Sequence, residues 1–132
     1  MTPRDVLVVD DVEDCRMLMR AMVAAQGHSV RLAASGAAAL AAAREQAPDL
    51  IMLDVMMPDM SGLEVLQELR AQAATAAVPV ILVTARSDDD DVMDGYQHGA
   101  DYYITKPCTA RQVAQGIALV LGERAAVVED AV

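Results

Sequence analysis

Short, strongly apolar runs recur along the chain at residues 6–9, 50–53, 80–83 and 102–105, separated by segments with helix-like spacing. Apolar runs this short predict parallel strands buried on both faces. A fifth, more polar run at 29–33 predicts a strand at the sheet edge. The first strand is expected over 5–10, the third over 50–54, the fourth over 79–84 and the last over 101–106. Five helices fill the gaps. The first, over 13–25, stops at Gly27 and places Leu18, Met22 and Ala25 on one apolar face. Ser35 can cap the second, which runs to about 46 before Pro48. Pro58 and Gly62 mark a loop, and Ser61 with Glu64 forms a capping box for the third, whose Leu63, Leu66 and Leu69 face the sheet. Ser87 caps the fourth predicted helix, with acidic residues 88–91 in its first turn. Thr109 and Gln112 form a capping box for the fifth, which ends at Gly122. This alternation predicts an α/β fold, (βα)₅, with a doubly wound five-stranded parallel sheet between two helical layers.

At 132 residues the chain suits one domain, over residues 1–122, followed by a short frayed tail at 123–132. The net charge of -10 argues against direct nucleic-acid binding, which needs lysine and arginine to neutralise phosphates. It suits a cationic cofactor instead. No apolar stretch approaches the ~20 residues of a membrane span. The apolar run after residue 5 is too short for a signal peptide. Cys15 and Cys108 make neither a metal spacing nor a disulfide framework, so a reducing cytoplasm is expected.

Candidate chemistry gathers just past the strand ends: Asp10 and Asp11, then Asp54, Thr84 and Lys106. In an open parallel sheet these positions converge on one crevice. Three close carboxylates repel one another unless a cation joins them, and Mg²⁺ is the natural hard divalent ion. A carboxylate beside such an ion can take a phosphoryl group. Lys106 offers a point charge to a phosphate oxygen and Thr84 a hydroxyl donor. Each residue has a plainer reading. Asp10 and Asp11 could form an ordinary turn, Thr84 could be a satisfied strand end, and residues 88–91 a solvated helix start. His28 and His98 flank Gly27 and Gly99 and are expected in solvated turns. The methionines read as core filler.

The residues Val8-Val9-Asp10-Asp11, the segment from Asp49 to Gly62, Val80 to Ala85, Gly99-Ala100-Asp101-Tyr102-Tyr103 and Lys106-Pro107 together resemble the receiver (CheY-like) domain of two-component response regulators. Any one motif is weak; all five in order are specific, and they span nearly the whole chain. The resemblance implies a flavodoxin-like strand order of 2-1-3-4-5. It implies that Asp54 is the phosphoacceptor, supplied by a sensor histidine kinase or phosphotransfer protein. It implies Mg²⁺ on Asp10, Asp11, Asp54 and the backbone carbonyl of Met56. Thr84 and Tyr103 would be the switch pair, with Tyr103 moving inward on phosphorylation. Lys106 would bind the phosphoryl and precede a cis Pro107. The output partner would dock on the face of the fourth helix, fifth strand and fifth helix, and Arg86 would overhang the pocket. Such a domain is no enzyme in the usual sense, although it catalyses its own phosphorylation and dephosphorylation.

One departure stands out: relatives commonly carry phenylalanine where this chain has Cys108, which questions how the last helix docks. A phosphate-relay carrier, or a receiver cut from a larger regulator or hybrid kinase, fits the same motifs. An aspartyl-nucleophile phosphatase would want a second aspartate at position 56, where Met56 stands. A flavin module would want a phosphate loop after the first strand, where Asp10 to Asp14 is acidic.

Overall fold

The computed structural model describes residues 3–85, 97 and 99–122. Its five strands are β1 (Asp5–Val9), β2 (Ser29–Ala33), β3 (Leu50–Leu53), β4 (Val80–Thr84) and β5 (Tyr102–Thr105). They pair in parallel in the order β2-β1-β3-β4-β5. The described helices are α1 (Glu13–Ala24), α2 (Gly36–Glu45), α3 (Gly62–Ala71) and α4 (Ala110–Leu121). The last of these is the fifth predicted helix. The fourth predicted helix, with Ser87 and the acidic run 88–91, lies outside the described residues. So do Arg86, His98 and the tail at 123–132. No described helix is long and apolar enough to cross a membrane.

The pleat splits the core into two layers. Leu7, Val9, Ile51, Leu53, Val80 and Leu82 pack under α2 and α3. Val6, Val8, Leu50, Met52, Ile81 and Val83 pack under α1 and α4. Both faces of the central strands are therefore apolar, which is why their sequences read as unbroken runs rather than alternations.

The predicted apolar face of α1 is displaced. Leu18 is 61% exposed, and Met19 and Val23 are the buried residues. The helix carries two adjacent apolar stripes about 100° apart, and the sheet selects the one at Met19 and Val23. On α3 the expected Leu66 and Leu69 are buried, joined by Val65, while Leu63 is only partly covered.

The caps follow local chemistry. Ser35 Oγ accepts from the Ala38 N–H at 3.1 Å, and Thr109 and Gln112 form the reciprocal box at α4. Ser61 Oγ accepts from the Leu63 N–H, one residue earlier than the expected box with Glu64 requires. Gly122 closes α4 in the left-handed region at φ 78°, where a side chain would be strained.

His28 is not in a solvated turn. It is 6% exposed, and its Nδ1 accepts from the Arg4 backbone N–H at 3.1 Å. The glycine beside it signalled a turn, but the ring is bonded to the segment just before β1. The smaller Cys108 does not prevent the last helix from docking: Val113 and Ile117 of α4 are buried against the sheet. Gly116 leaves room there for the ring of Tyr102, which joins the same cluster.

Candidate functional site

The sheet register carries Asp10, Asp54, Thr84 and Lys106 to one edge. Asp10 and Asp54 each follow the last residue of β1 and β3, which are paired through Val9 and Leu53. The Asp54 N–H donates to the Val9 carbonyl at 3.0 Å, which fixes the height of one carboxylate against the other. On the other flank the Lys106 N–H donates to the Thr84 carbonyl at 2.8 Å and sets the lysine at the same level. The Lys106-Pro107 peptide is cis.

Ligand oxygens of Asp10, Asp11 and Asp54 all lie within 4.8 Å of one another. Asp10 is 5% exposed and Asp54 6%, so neither charge is well hydrated. Lys106 Nζ supplies the compensating charge, donating to Asp10 Oδ2 at 2.7 Å and lying 3.7 Å from Asp54 Oδ2. The other Asp10 oxygen accepts from the Val12 N–H at 2.9 Å, so this residue also makes the turn into α1. One Asp10 oxygen thus makes the plain turn, while the other faces Lys106 within the acidic cluster.

Burial is the main reason the Asp54 carboxyl is held above its ordinary value; Lys106 pulls it down, while Asp10 and Asp11 push it up. For Lys106, burial works against the ammonium. The Asp10 hydrogen bond and the charges of Asp54 and Asp10 outweigh it and raise the pKa above its usual value. Asp10 and Asp11 contribute to the rise at Asp54 by repulsion, which a bound cation would relieve. An all-oxygen donor set this close fits a hard divalent cation.

The loop after β3 is held at both ends. Asp54 Oδ1 accepts from the Met56 N–H at 3.3 Å, and the Gly62 N–H donates to the Val55 carbonyl at 2.8 Å. A Cβ on Gly62 would collide with the Asp54 carbonyl oxygen and Val55 Cα, so only glycine lets the chain pass here. The side chain of Met56 is exposed.

Thr84 is completely buried, and Tyr103 is half-buried against the layer under α2 and α3. Leu82 pairs with Tyr103 and Thr84 with Thr105. Alternation along each strand therefore puts Thr84 and Tyr103 on the same face, in diagonal neighbour positions.

Three residues at or near the site escaped the sequence reading. Cys15 lines the small cavity beside Asp10, Asp54 and Lys106. Arg16 Nη1 donates to the Asp10 carbonyl at 2.9 Å. Asp59 reaches from the loop after β3 to the start of α2, where the Gly36 and Ala37 N–H groups hold its carboxyl below the usual range. Helical spacing could have flagged Cys15 and Arg16; nothing local could have flagged Asp59. Cys108 is partly buried, and that burial pushes its thiol up against the opposing pull of Lys106.

Comparison with known proteins places this geometry. Residues 6–118 match the model of the response regulator receiver domain. The chain is 44% identical over 120 residues to the transcriptional regulatory protein AfsQ1 of Streptomyces coelicolor, covering 89% of this chain and 52% of that one. It is 34% identical over 116 residues to PilH of Pseudomonas aeruginosa, covering 88% of this chain and 96% of that one. Among solved structures it superposes on the chemotaxis protein CheY4 of Vibrio cholerae with a TM-score of 0.86 at 29% identity, covering 91% of this chain and all of that one. The chain belongs to the response regulator receiver family. It spans about half the length of AfsQ1 and 47% of the regulator TcrX of Mycobacterium tuberculosis, but nearly all of PilH.

Proposed function

We propose that this receiver accepts a phosphoryl group on Asp54 from a phosphohistidine of a sensor histidine kinase or phosphotransfer protein. The observation that carries the reading is the meeting of Asp10, Asp11 and Asp54 within 4.8 Å, beside the ammonium of Lys106. Asp10, Asp11, Asp54 and the Met56 backbone carbonyl would hold Mg²⁺. When bound, the ion neutralises charge on the carboxylates and on the transferring phosphoryl. An Asp54 oxygen attacks phosphorus as the nitrogen–phosphorus bond of the donor breaks, and the imidazole leaves with the electron pair. Lys106 then has an anion other than Asp10 to pair with, and the Thr84 hydroxyl can donate to a phosphoryl oxygen. The domain acts on itself rather than on a separate substrate, and it promotes both gain and hydrolysis of its own acyl phosphate. Its free cysteines suit a reducing cytoplasm.

Incubation with a small acyl phosphate and Mg²⁺ should add one hydroxylamine-labile phosphate per chain, detected by intact mass. EDTA should prevent it. Uptake that is indifferent to EDTA would overturn the metal assignment.

The same reading makes the domain a switch for an output partner on the face of the fourth predicted helix, β5 and α4. Thr84 and Tyr103 share a face, so a Thr84 side chain drawn to the phosphoryl leaves space toward which the half-buried Tyr103 can move. Beryllofluoride on Asp54 should therefore change amide exchange along residues 84–105. Thr84→Ala should weaken that change, by an amount matching a coupling of about 1–3 kcal/mol. An unchanged exchange pattern in the wild type with the mimic bound would make the chain a relay carrier instead.

A further inference from the structure

We infer that Asp59 is a positioning residue for the metal site: it ties the loop that carries Met56 to the start of α2 and so sets where the Met56 carbonyl stands. This rests on the proposed metal reading of Asp10, Asp11, Asp54 and Met56.

The tether has two strands. Asp59 Oδ1 accepts from the Gly36 N–H at 3.1 Å and Oδ2 from the Ala37 N–H at 3.0 Å. Beside them the Met60 side chain covers Gly36 so closely that a Cβ there would collide with Met60 Cγ. The first N–H groups of a helix have no partner within it. Ser35 satisfies the next two, its Oγ taking Ala38 and its carbonyl taking Ala39. Gly36 and Ala37 are left to Asp59, which is 23 and 22 residues away. The helix therefore has a local cap of its own, and the Asp59 contact is an additional, long-range one.

The far end of the tether leads back to the site. The chain runs from Gly36 through Ser35 to Ala33 of β2, whose carbonyl accepts the Asp10 N–H at 3.2 Å. Met56 thus sits between two fixed points. Asp54 and Gly62 hold the roots of its loop, and Asp59 holds the outer part against an element already bonded to Asp10. A backbone carbonyl cannot swing as a side chain can, so its aim depends on the loop. Groups that orient a ligand without touching the metal typically change affinity by about 10–100-fold when removed.

The test compares Mg²⁺ affinity by calorimetry in the wild type, Asp59→Ala, Asp59→Asn and Ser35→Ala, well below each melting temperature. Asp59→Ala should weaken Mg²⁺ about tenfold, and saturating Mg²⁺ should restore its rate of phosphorylation. Asp59→Asn keeps one acceptor oxygen and should fall between it and the wild type. Ser35→Ala removes a cap from the same helix without touching the loop, so it should lower stability and leave Mg²⁺ affinity unchanged. In the metal-free protein the amide signals of Val55 to Met57 should shift in Asp59→Ala and not in Ser35→Ala. If Ser35→Ala weakens Mg²⁺ as much as Asp59→Ala, the effect is one of helix stability and the inference fails. It fails equally if Asp59→Ala binds Mg²⁺ like the wild type. If the wild type itself takes up no Mg²⁺, the metal reading fails and the inference goes with it.

Discussion

Asp54→Asn is expected to abolish phosphorylation by small donors and by kinase alike, while leaving a folded and more stable protein. The loss is total because the amide lacks the anionic oxygen that attacks phosphorus. Lys106, Asp10 and Asp11 would remain. The gain in stability follows from the pKa of Asp54, which burial, Asp10 and Asp11 raise above its usual 3.8. A carboxyl with a raised folded pKa favours the fold below its unfolded pKa, and that contribution is lost as pH rises through the folded value. At neutral pH the metal-free wild type therefore carries a destabilising charge that the asparagine variant lacks. The variant should melt higher at pH 7 without Mg²⁺, and the difference should shrink on acidification toward and below pH 3.8. Asp11→Ala should also fail to take phosphate, but by losing metal, which calorimetry separates from loss of the nucleophile. Phosphate uptake on Asp54→Asn at one site per chain would place the acceptor elsewhere.

Lys106→Ala is expected to have the largest effect on stability of any change at the site. In the metal-free protein its ammonium is the only cation among the described residues within 4.0 Å of the Asp10 and Asp54 carboxylates, at 2.7 and 3.7 Å. Removing one partner of a buried ion pair costs about 3–5 kcal/mol. The Lys106 side chain is 23% exposed, so water screens part of the pair. A loss of about 2 kcal/mol at pH 7 is the corresponding expectation. Its pH dependence has a definite sign. The folded pKa of Lys106 lies above its usual 10.5, so the stabilisation is full at neutral pH and fades only above the ordinary lysine range. On the acid side the cost of the substitution should disappear as the carboxylates protonate. Mg²⁺ should rescue the variant, because the ion replaces the missing charge. At a hundredfold excess over its dissociation constant, a ligand specific to the folded state adds about 2.7 kcal/mol. At a fixed Mg²⁺ concentration the variant should gain more than the wild type, whose lysine already offsets the carboxylates. Urea unfolding with and without Mg²⁺ measures both. Equal stability of variant and wild type in EDTA would show that the lysine does not hold the carboxylates together.

The sequence by itself determined the layer architecture and where the strand ends fall. Residues 50–53 and 80–83 have no polar position to turn toward water, and only a strand covered on both sides satisfies that. It also determined that Asp10, Asp54, Thr84 and Lys106 share one edge of the sheet, because parallel strands end together there. Local caps at Ser35 and Thr109 were legible for the same reason: the donor and acceptor lie within one turn. Tertiary structure decided what depends on contacts across the chain. Leu18 and Met19 are neighbours in sequence with similar apolarity, and only the sheet beneath α1 chose Met19. His28 is buried and accepts from the backbone N–H of Arg4, a partner that no window around Gly27 contains. Asp59 reads as an ordinary turn residue after Pro58 until the fold brings the start of α2 against it. Each of these outcomes turns on two segments that meet only after the chain has closed. Periodicity and capping carry only local information, whereas burial and long-range hydrogen bonds are properties of the assembled layers.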